Sequence, residues 1–153
     1  MKLFIIILVT HSCLLGAAIT ESDLIGTWAA ECISSQMTDN NGNTSGYVKD
    51  TYQFIQPEKM AFTRKWYKSS SCTGKPFSII SEMGSYKIGE VFNSNNGFVP
   101  VNTFKIKLNF DGKQAEKGLI WLSSNKKQAR ISRGFSKGKQ NTMLNLFVFK
   151  KIN

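Results

Sequence analysis

The feature that most constrains the fold is a strict alternation of residue types between Phe104 and Phe110. Every even position in this run is apolar and every odd position is polar. A period of two predicts a β-strand with one face buried and the other in water. Asp111-Gly112 follows as a typical hairpin turn, and Gly118–Leu122 predicts the returning strand. This region is therefore expected to form an antiparallel hairpin.

Similar strand patterns recur along the chain, separated by turn signals rich in Asn, Gly and Pro. The pattern contains no convincing helical apolar stripe, internal repeat or interdomain linker. Eight or nine short strands favour a barrel or a sandwich, and the short connections favour an up-and-down barrel. We predict an all-β, single-domain antiparallel barrel of about eight strands over residues 19–153. The other predicted strands are Leu24–Ser34, Tyr47–Ile55, Met60–Lys68, two short strands within Phe77–Phe92, Ala129–Phe135 and Met143–Lys151.

Residues 1–18 have the pattern of a secretory signal peptide. Lys2 precedes the apolar stretch Leu3–Val9, and Gly16-Ala17-Ala18 supplies the small residues that a signal peptidase reads. The stretch is too short for a stable membrane span. We expect cleavage after Ala18 and a secreted or periplasmic protein; the alternative is a lipoprotein cut before Cys13.

Loss of this leader would narrow the available chemistry. His11 is the only histidine in the chain, so the mature protein would have none. That excludes Ser-His-Asp and Cys-His catalysis and histidine-based metal sites. Thr73-Gly74-Lys75-Pro76 lacks the upstream glycine and the Ser/Thr of a phosphate loop. We therefore expect a non-enzymatic protein without cofactor or metal.

Cys32 and Cys72 are the two cysteines beyond the predicted leader. One interpretation is a reactive thiol or redox pair. An even cysteine count in an exported chain favours a structural disulfide. Closing such a loop contributes about 4 kcal/mol on the chain-entropy model.

Positive charge is concentrated in the C-terminal third. Twelve basic and two acidic residues follow Phe104, whereas basic and acidic residues are nearly balanced before it. Such asymmetry within one domain suggests an anionic partner or surface. The alternative is a charged outer face that keeps a β-protein soluble. The densest segment carries Lys126, Lys127, Arg130, Arg133, Lys137 and Lys139.

Gly26-Thr27-Trp28 opens the first predicted strand. A Gly-x-Trp at this place, followed by a meander of antiparallel strands, resembles the lipocalin-like (calycin) group. The resemblance implies that Trp28 closes one end of the barrel under a basic side chain from a late strand, in a cation–π contact. Lys150 and Arg133 are the candidates, and the apolar run before Lys150 favours that residue.

Two functions are compatible with these features. The first is a carrier of a small apolar or amphiphilic ligand inside the barrel, lined by inward-facing aromatic residues. The second is an interaction protein whose basic C-terminal half binds an anionic surface or an acidic partner; nucleic acid is not expected because no binding motif is present. The predicted ligand-lining residues are Phe62, Trp66, Tyr86, Phe104 and Trp121.

Overall fold

The computed structural model describes residues 18–35, 46–93, 99–133 and 147–152. Of the predicted leader, only Ala18 lies within these ranges. The described residues form one short helix and nine antiparallel strands. The elements are α1 (Glu21–Leu24), β1 (Gly26–Ala30), β2 (Ile33–Ser34), β3 (Tyr47–Gln56), β4 (Lys59–Tyr67), β5 (Ser78–Val91), β6 (Phe104–Phe110), β7 (Glu116–Leu122), β8 (Gln128–Ser132) and β9 (Phe149–Lys151).

The sheet closes on itself as an up-and-down barrel, which confirms the predicted fold. Strands β3 to β9 pair in sequence order. Strand β1 then pairs with both β9 and β3, so that eight strands form a closed cylinder and β2 is an additional strand beside β3. Closure removes the free edges that an open sheet would expose.

Some of the predicted strand bounds were wrong. Leu24–Ser34 was expected to be one strand, but Leu24 ends helix α1, and β1 and β2 are separate strands. The segment Phe77–Phe92 was expected to hold two short strands around Met83-Gly84, but β5 runs unbroken for 14 residues. Gly84 remains in register with Met60 on one side and Phe110 on the other. The glycine is required there by the close approach of a neighbouring backbone and does not form a turn.

Alternate residues on each strand face the barrel interior, and these form the core. Phe104, Ile106, Leu108 and Phe110 on β6 are all buried, as the period-two pattern predicts. The same core cluster includes inward-facing residues from the other seven barrel strands. The interior is therefore the hydrophobic core of the protein.

Helix α1 packs across one end of the barrel, which we call the capped end. The indole Nε1 of Trp28 donates a hydrogen bond of 2.6 Å to the carbonyl oxygen of Leu24, and both residues are fully buried. The phenol of Tyr86 donates to the carbonyl oxygen of Glu21 at 3.3 Å. These bonds connect the helix to β1 and β5.

Cys32 and Cys72 form the predicted disulfide, with Cα atoms 5.6 Å apart. Cys32 lies between β1 and β2, and Cys72 lies between β4 and β5. The bond therefore ties two connections at the end of the barrel opposite α1.

Candidate functional site

A layer of charged side chains lies inside the barrel at the end opposite α1. We call this the charged end and define it by Asp50, Arg64, Glu82, Glu116 and Arg133. Strand register places Asp50 beside Arg64 and Glu82 beside Phe62, on the same inner face as the core residues. These five ionisable groups thus cover the apolar core at this end of the barrel.

Arg133 is the centre of this layer. Its Nε and Nη2 donate hydrogen bonds of 2.8 and 2.5 Å to the two carboxylate oxygens of Glu116. Nη2 also lies 3.4 Å from Glu82, whose other oxygen accepts a hydrogen bond from Lys113. A bidentate pair of this kind fixes the orientation of the guanidinium as well as its charge.

The guanidinium of Arg133 also lies over aromatic rings. Its Cζ is 4.4 Å from the centroid of Phe110 and 4.9 Å from that of Phe62. Burial opposes the charge and lowers the pKa of Arg133, but the hydrogen bonds to Glu116 and the nearby negative charges outweigh burial and raise that pKa overall. Arg133 is therefore a permanent cation between carboxylates and ring faces.

Arg64 forms a second bidentate pair at this end. Its Nε and Nη2 donate to the two oxygens of Asp50 at 2.7 and 2.6 Å. The hydrogen bond to Asp50 raises the pKa of Arg64 against the opposing effect of burial. The Arg64 Cζ lies 5.7 Å from the Phe62 ring and 5.9 Å from the Trp66 ring. The guanidinium therefore contacts both a core residue and the partly buried Trp66.

Packed aromatic rings fill the barrel below the charged layer. Tyr52 lies 4.9 Å from Phe62 and 5.2 Å from Phe149, centroid to centroid. Phe54 meets Tyr86 edge-on at 4.8 Å. Desolvation raises the pKa of the Tyr52 phenol far above its ordinary value. These contacts indicate a well-packed core.

Above the charged layer, apolar inner residues are accessible to solvent. Trp66 follows Arg64 on the inner face of β4 and is only partly buried. Ile80, in register with Arg64, is 46 % exposed although it faces inward. Val48 pairs with Trp66 and is buried. Trp66 and Ile80 therefore form an apolar rim on top of the charged layer.

The five predicted ligand-lining residues fall into three environments. Phe62, Tyr86 and Phe104 belong to the packed core. Trp66 lies on the apolar rim. Trp121 faces outward, because it alternates with the core residues Ile120 and Leu122, and its ring lies 5.9 Å below the guanidinium of Arg130. The prediction that Trp121 lines the interior was wrong, because the inward positions of β7 are Ile120 and Leu122, and the residue between them faces outward.

The basic residue over Trp28 is Lys151, and the choice of Lys150 was wrong. The Nζ of Lys151 lies 5.2 Å from the centroid of the Trp28 ring. Lys150 points away from the interior and pairs with Glu31 at 2.7 Å. Phe149 is the buried residue of β9, so the period of two places Lys151, two residues on, on the same face. Arg133, the other candidate, lies at the charged end.

The predicted basic segment does not form one face. Lys126 pairs with Asp23 near the capped end, and Lys127 is exposed in the same turn. Arg130 lies on the outer wall over Trp121, whereas Arg133 points into the charged end. Lys137 and Lys139 lie outside the described residues. A basic run in sequence is split here because neighbours on a strand face opposite sides of the sheet.

Sequence reasoning missed most of the charged layer. Asp50 lies between Val48 and Tyr52, and Arg64 lies between Phe62 and Trp66, at positions where the alternation predicts apolar residues. A charged residue at an inward position of a strand was the available signal. It could have identified the layer, although not which residues pair with which.

The described residues contain no group of three or more histidine, cysteine or acidic side chains able to hold a metal ion. Within the same described ranges, no helix has the length and apolar character needed to cross a lipid bilayer. A scan against protein-family models finds no match. Searches of curated proteins and of solved structures find no significant match either.

Proposed function

We propose that this is an exported, non-enzymatic binding protein that takes a small amphiphilic ligand at the charged end of its barrel. Export is supported by the leader pattern of residues 1–18 and by the Cys32–Cys72 disulfide, which is typical of oxidising compartments. The Gly26-Thr27-Trp28 motif and the closed eight-stranded barrel support a lipocalin-like relationship.

The observation that carries the proposal is the exposure of Ile80. Inward-facing apolar residues of a barrel are normally buried, as Phe62 and Met60 are. Ile80 faces the same interior and yet is 46 % exposed, beside the partly buried Trp66. Covering such apolar surface with a hydrocarbon chain is favourable by about 25 cal/mol per Å².

The neighbouring charges favour an anionic head group. Asp50 accepts hydrogen bonds from Nε and Nη2 of Arg64, and these two bonds do not involve Nη1. The Arg64 side chain is 42 % exposed, so a carboxylate can reach it from solvent. A ligand with an alkyl chain on Trp66 and Ile80 and a carboxylate on Arg64 would satisfy both features. Because aromatic rings fill the space below, the ligand would lie at the rim of the barrel.

The test is titration calorimetry of the disulfide-bonded protein with sodium dodecanoate below its micelle concentration. Dodecanol and dodecyltrimethylammonium serve as uncharged and cationic comparisons. We expect dodecanoate to bind more tightly than either, and Ile80→Gln to weaken its binding about fivefold or more, in line with burial of one aliphatic side chain.

The matched control is Ile79→Gln. Ile79 is 55 % exposed on the same strand, but it pairs with Lys65 and faces outward. The control should bind dodecanoate as the parent protein does. No binding by the parent protein, or equal losses in the two variants, would refute the proposal.

A further inference from the structure

Three lysines lie in a row across the outer wall of the barrel. Lys87 on β5 is directly opposite Lys107 on β6, which in turn is directly opposite Lys117 on β7. All three are exposed. Neighbouring strands are about 4.8 Å apart, so the row spans about 10 Å. The residues come from separate strands, and no basic run in the sequence marks them.

Nothing in the described part of the chain neutralises this row. Among the described ion pairs, none involves Lys87, Lys107 or Lys117. Lys105, on the same face of β6 as Lys107, pairs with Glu90. Like charges directly opposite each other on adjacent strands are destabilising. The row therefore lowers the stability of the fold slightly, and binding of an anion would explain its presence.

The lysines surround a groove of about 220 Å³. The other lining residues are Ile88, Gly89, Lys105 and Ile106. The absence of a side chain at Gly89 keeps the groove open. A groove of this size is smaller than typical pockets for drug-sized ligands, which are about 300–1,000 Å³, and suits a single small group.

We propose that this groove binds a tetrahedral oxyanion, the phosphate or sulfate group of a small molecule or of a larger carrier. The methylene stems of the lysines form the mostly apolar walls, and the three ammonium groups at the ends of these flexible stems supply donors and charge. The groove lies on the outer wall, apart from the rim site of the proposed function. It also differs from the segment 126–139, whose described basic residues face several directions.

The experiment follows the backbone amide resonances of the folded protein as inorganic phosphate or sulfate is added at low ionic strength. We expect saturable shifts centred on β5, β6 and β7 around Gly89. Replacing Lys87, Lys107 and Lys117 together by Gln should weaken binding about tenfold or more, as loss of three exposed charge contacts implies. The charge-matched control replaces the exposed Lys59, Lys68 and Lys75 by Gln and should bind as before.

A second variant leaves the net charge unchanged. A Cβ built at Gly89 lies 3.5 Å from Lys105 Cβ, an ordinary contact, so Gly89→Val should fold normally while filling the groove. We expect it to lose saturable binding, and Ser81→Val on the same outer face to retain it. Equal losses in both lysine triples, normal binding by Gly89→Val, or shifts without saturation would overturn the proposal.

The carrier of the oxyanion is identified with the same variants. Phosphatidic acid vesicles and a sulfated heparin disaccharide are each titrated at low and moderate salt. Binding of either that depends on Lys87, Lys107 and Lys117 and on an open Gly89 supports the site and names its source. If the vesicles or the disaccharide bind equally well to the lysine and Gly89 variants, the proposed site is contradicted.

Discussion

Arg133 and Glu116 are joined by two hydrogen bonds, of 2.8 and 2.5 Å, inside the charged end of the barrel. Their side chains are 25 % and 19 % exposed, so both charges are largely withdrawn from water. Such a pair contributes little net stability against an apolar replacement, but removal of one partner is costly.

Arg133→Met should destabilise the protein by about 3 kcal/mol, because Glu116 and Glu82 would remain buried with reduced compensation. Urea unfolding followed by tryptophan fluorescence measures the change. The double variant Arg133→Met/Glu116→Leu should recover most of the loss. A matched control is Arg130→Met on the outer wall, expected to change the free energy of unfolding by less than about 1 kcal/mol. Equal effects of the two single variants would contradict the charged layer.

Lys151→Met should lower the free energy of unfolding by about 1 kcal/mol, because it removes the cation over the Trp28 ring. Lys150→Met removes the same charge one residue away, where the lysine pairs with Glu31 in solvent. Because solvent and salt screen that exposed pair, its loss should cost less than loss of the cation over Trp28. Thermal unfolding of the two variants in one buffer separates the effects. A larger loss from Lys150→Met than from Lys151→Met would contradict the assignment of Lys151 to the Trp28 ring.

Gly84→Ala should be strongly destabilising, by about 2 kcal/mol or more, because added volume would have to displace backbone. A Cβ at Gly84 would lie 2.1 Å from the carbonyl oxygen of Asn109. Gly118→Ala should behave similarly, since its Cβ would lie 1.9 Å from the carbonyl oxygen of Ser132. Gly89→Ala is the matched control and should be nearly neutral. Circular dichroism during thermal unfolding distinguishes the three; a neutral Gly84→Ala would mean that the strands can separate there.

Asp23 makes stability depend on pH. Its hydrogen bond with Lys126 lowers its pKa below the ordinary 3.8, against the opposing effect of burial. A group whose pKa is depressed in the folded protein stabilises it above the unfolded pKa, and this contribution is lost as pH falls through the folded value. Asp23→Asn should therefore destabilise the protein at neutral pH, and the difference should shrink below pH 3.8.

Asp111→Asn is the comparison for Asp23, since Asp111 is exposed in the β6–β7 turn. At neutral pH, Asp111→Asn should leave the free energy of unfolding close to that of the parent protein, because this exposed turn residue lies outside the core. A difference between Asp23→Asn and the parent protein that persists unchanged to low pH would contradict the ion pair with Lys126.

The strand pattern was predictable because it depends on local periodicity. Phe104–Phe110 was predicted as a strand with its even positions buried, and the structure confirms it. For two residues, the predicted side of the strand was wrong, although the period of two gives the correct one. Trp121 was assigned to the interior because it is aromatic, yet Ile120 and Leu122 occupy the inner face. Lys150 was chosen as the end of an apolar run, although Phe149 already placed Lys151 inside.

The sequence by itself determined an all-β chain, its closure as a barrel with short connections, and the pairing of Cys32 with Cys72. The strands and turns depend on periodicity and turn residues, which act over a few neighbours, and the disulfide depends on the cysteine count. Only the tertiary structure decided that Arg133 meets Glu116, that Arg64 meets Asp50, and that Lys87, Lys107 and Lys117 form a row. Those contacts depend on the register between strands distant in sequence, and register is set by packing of the whole core.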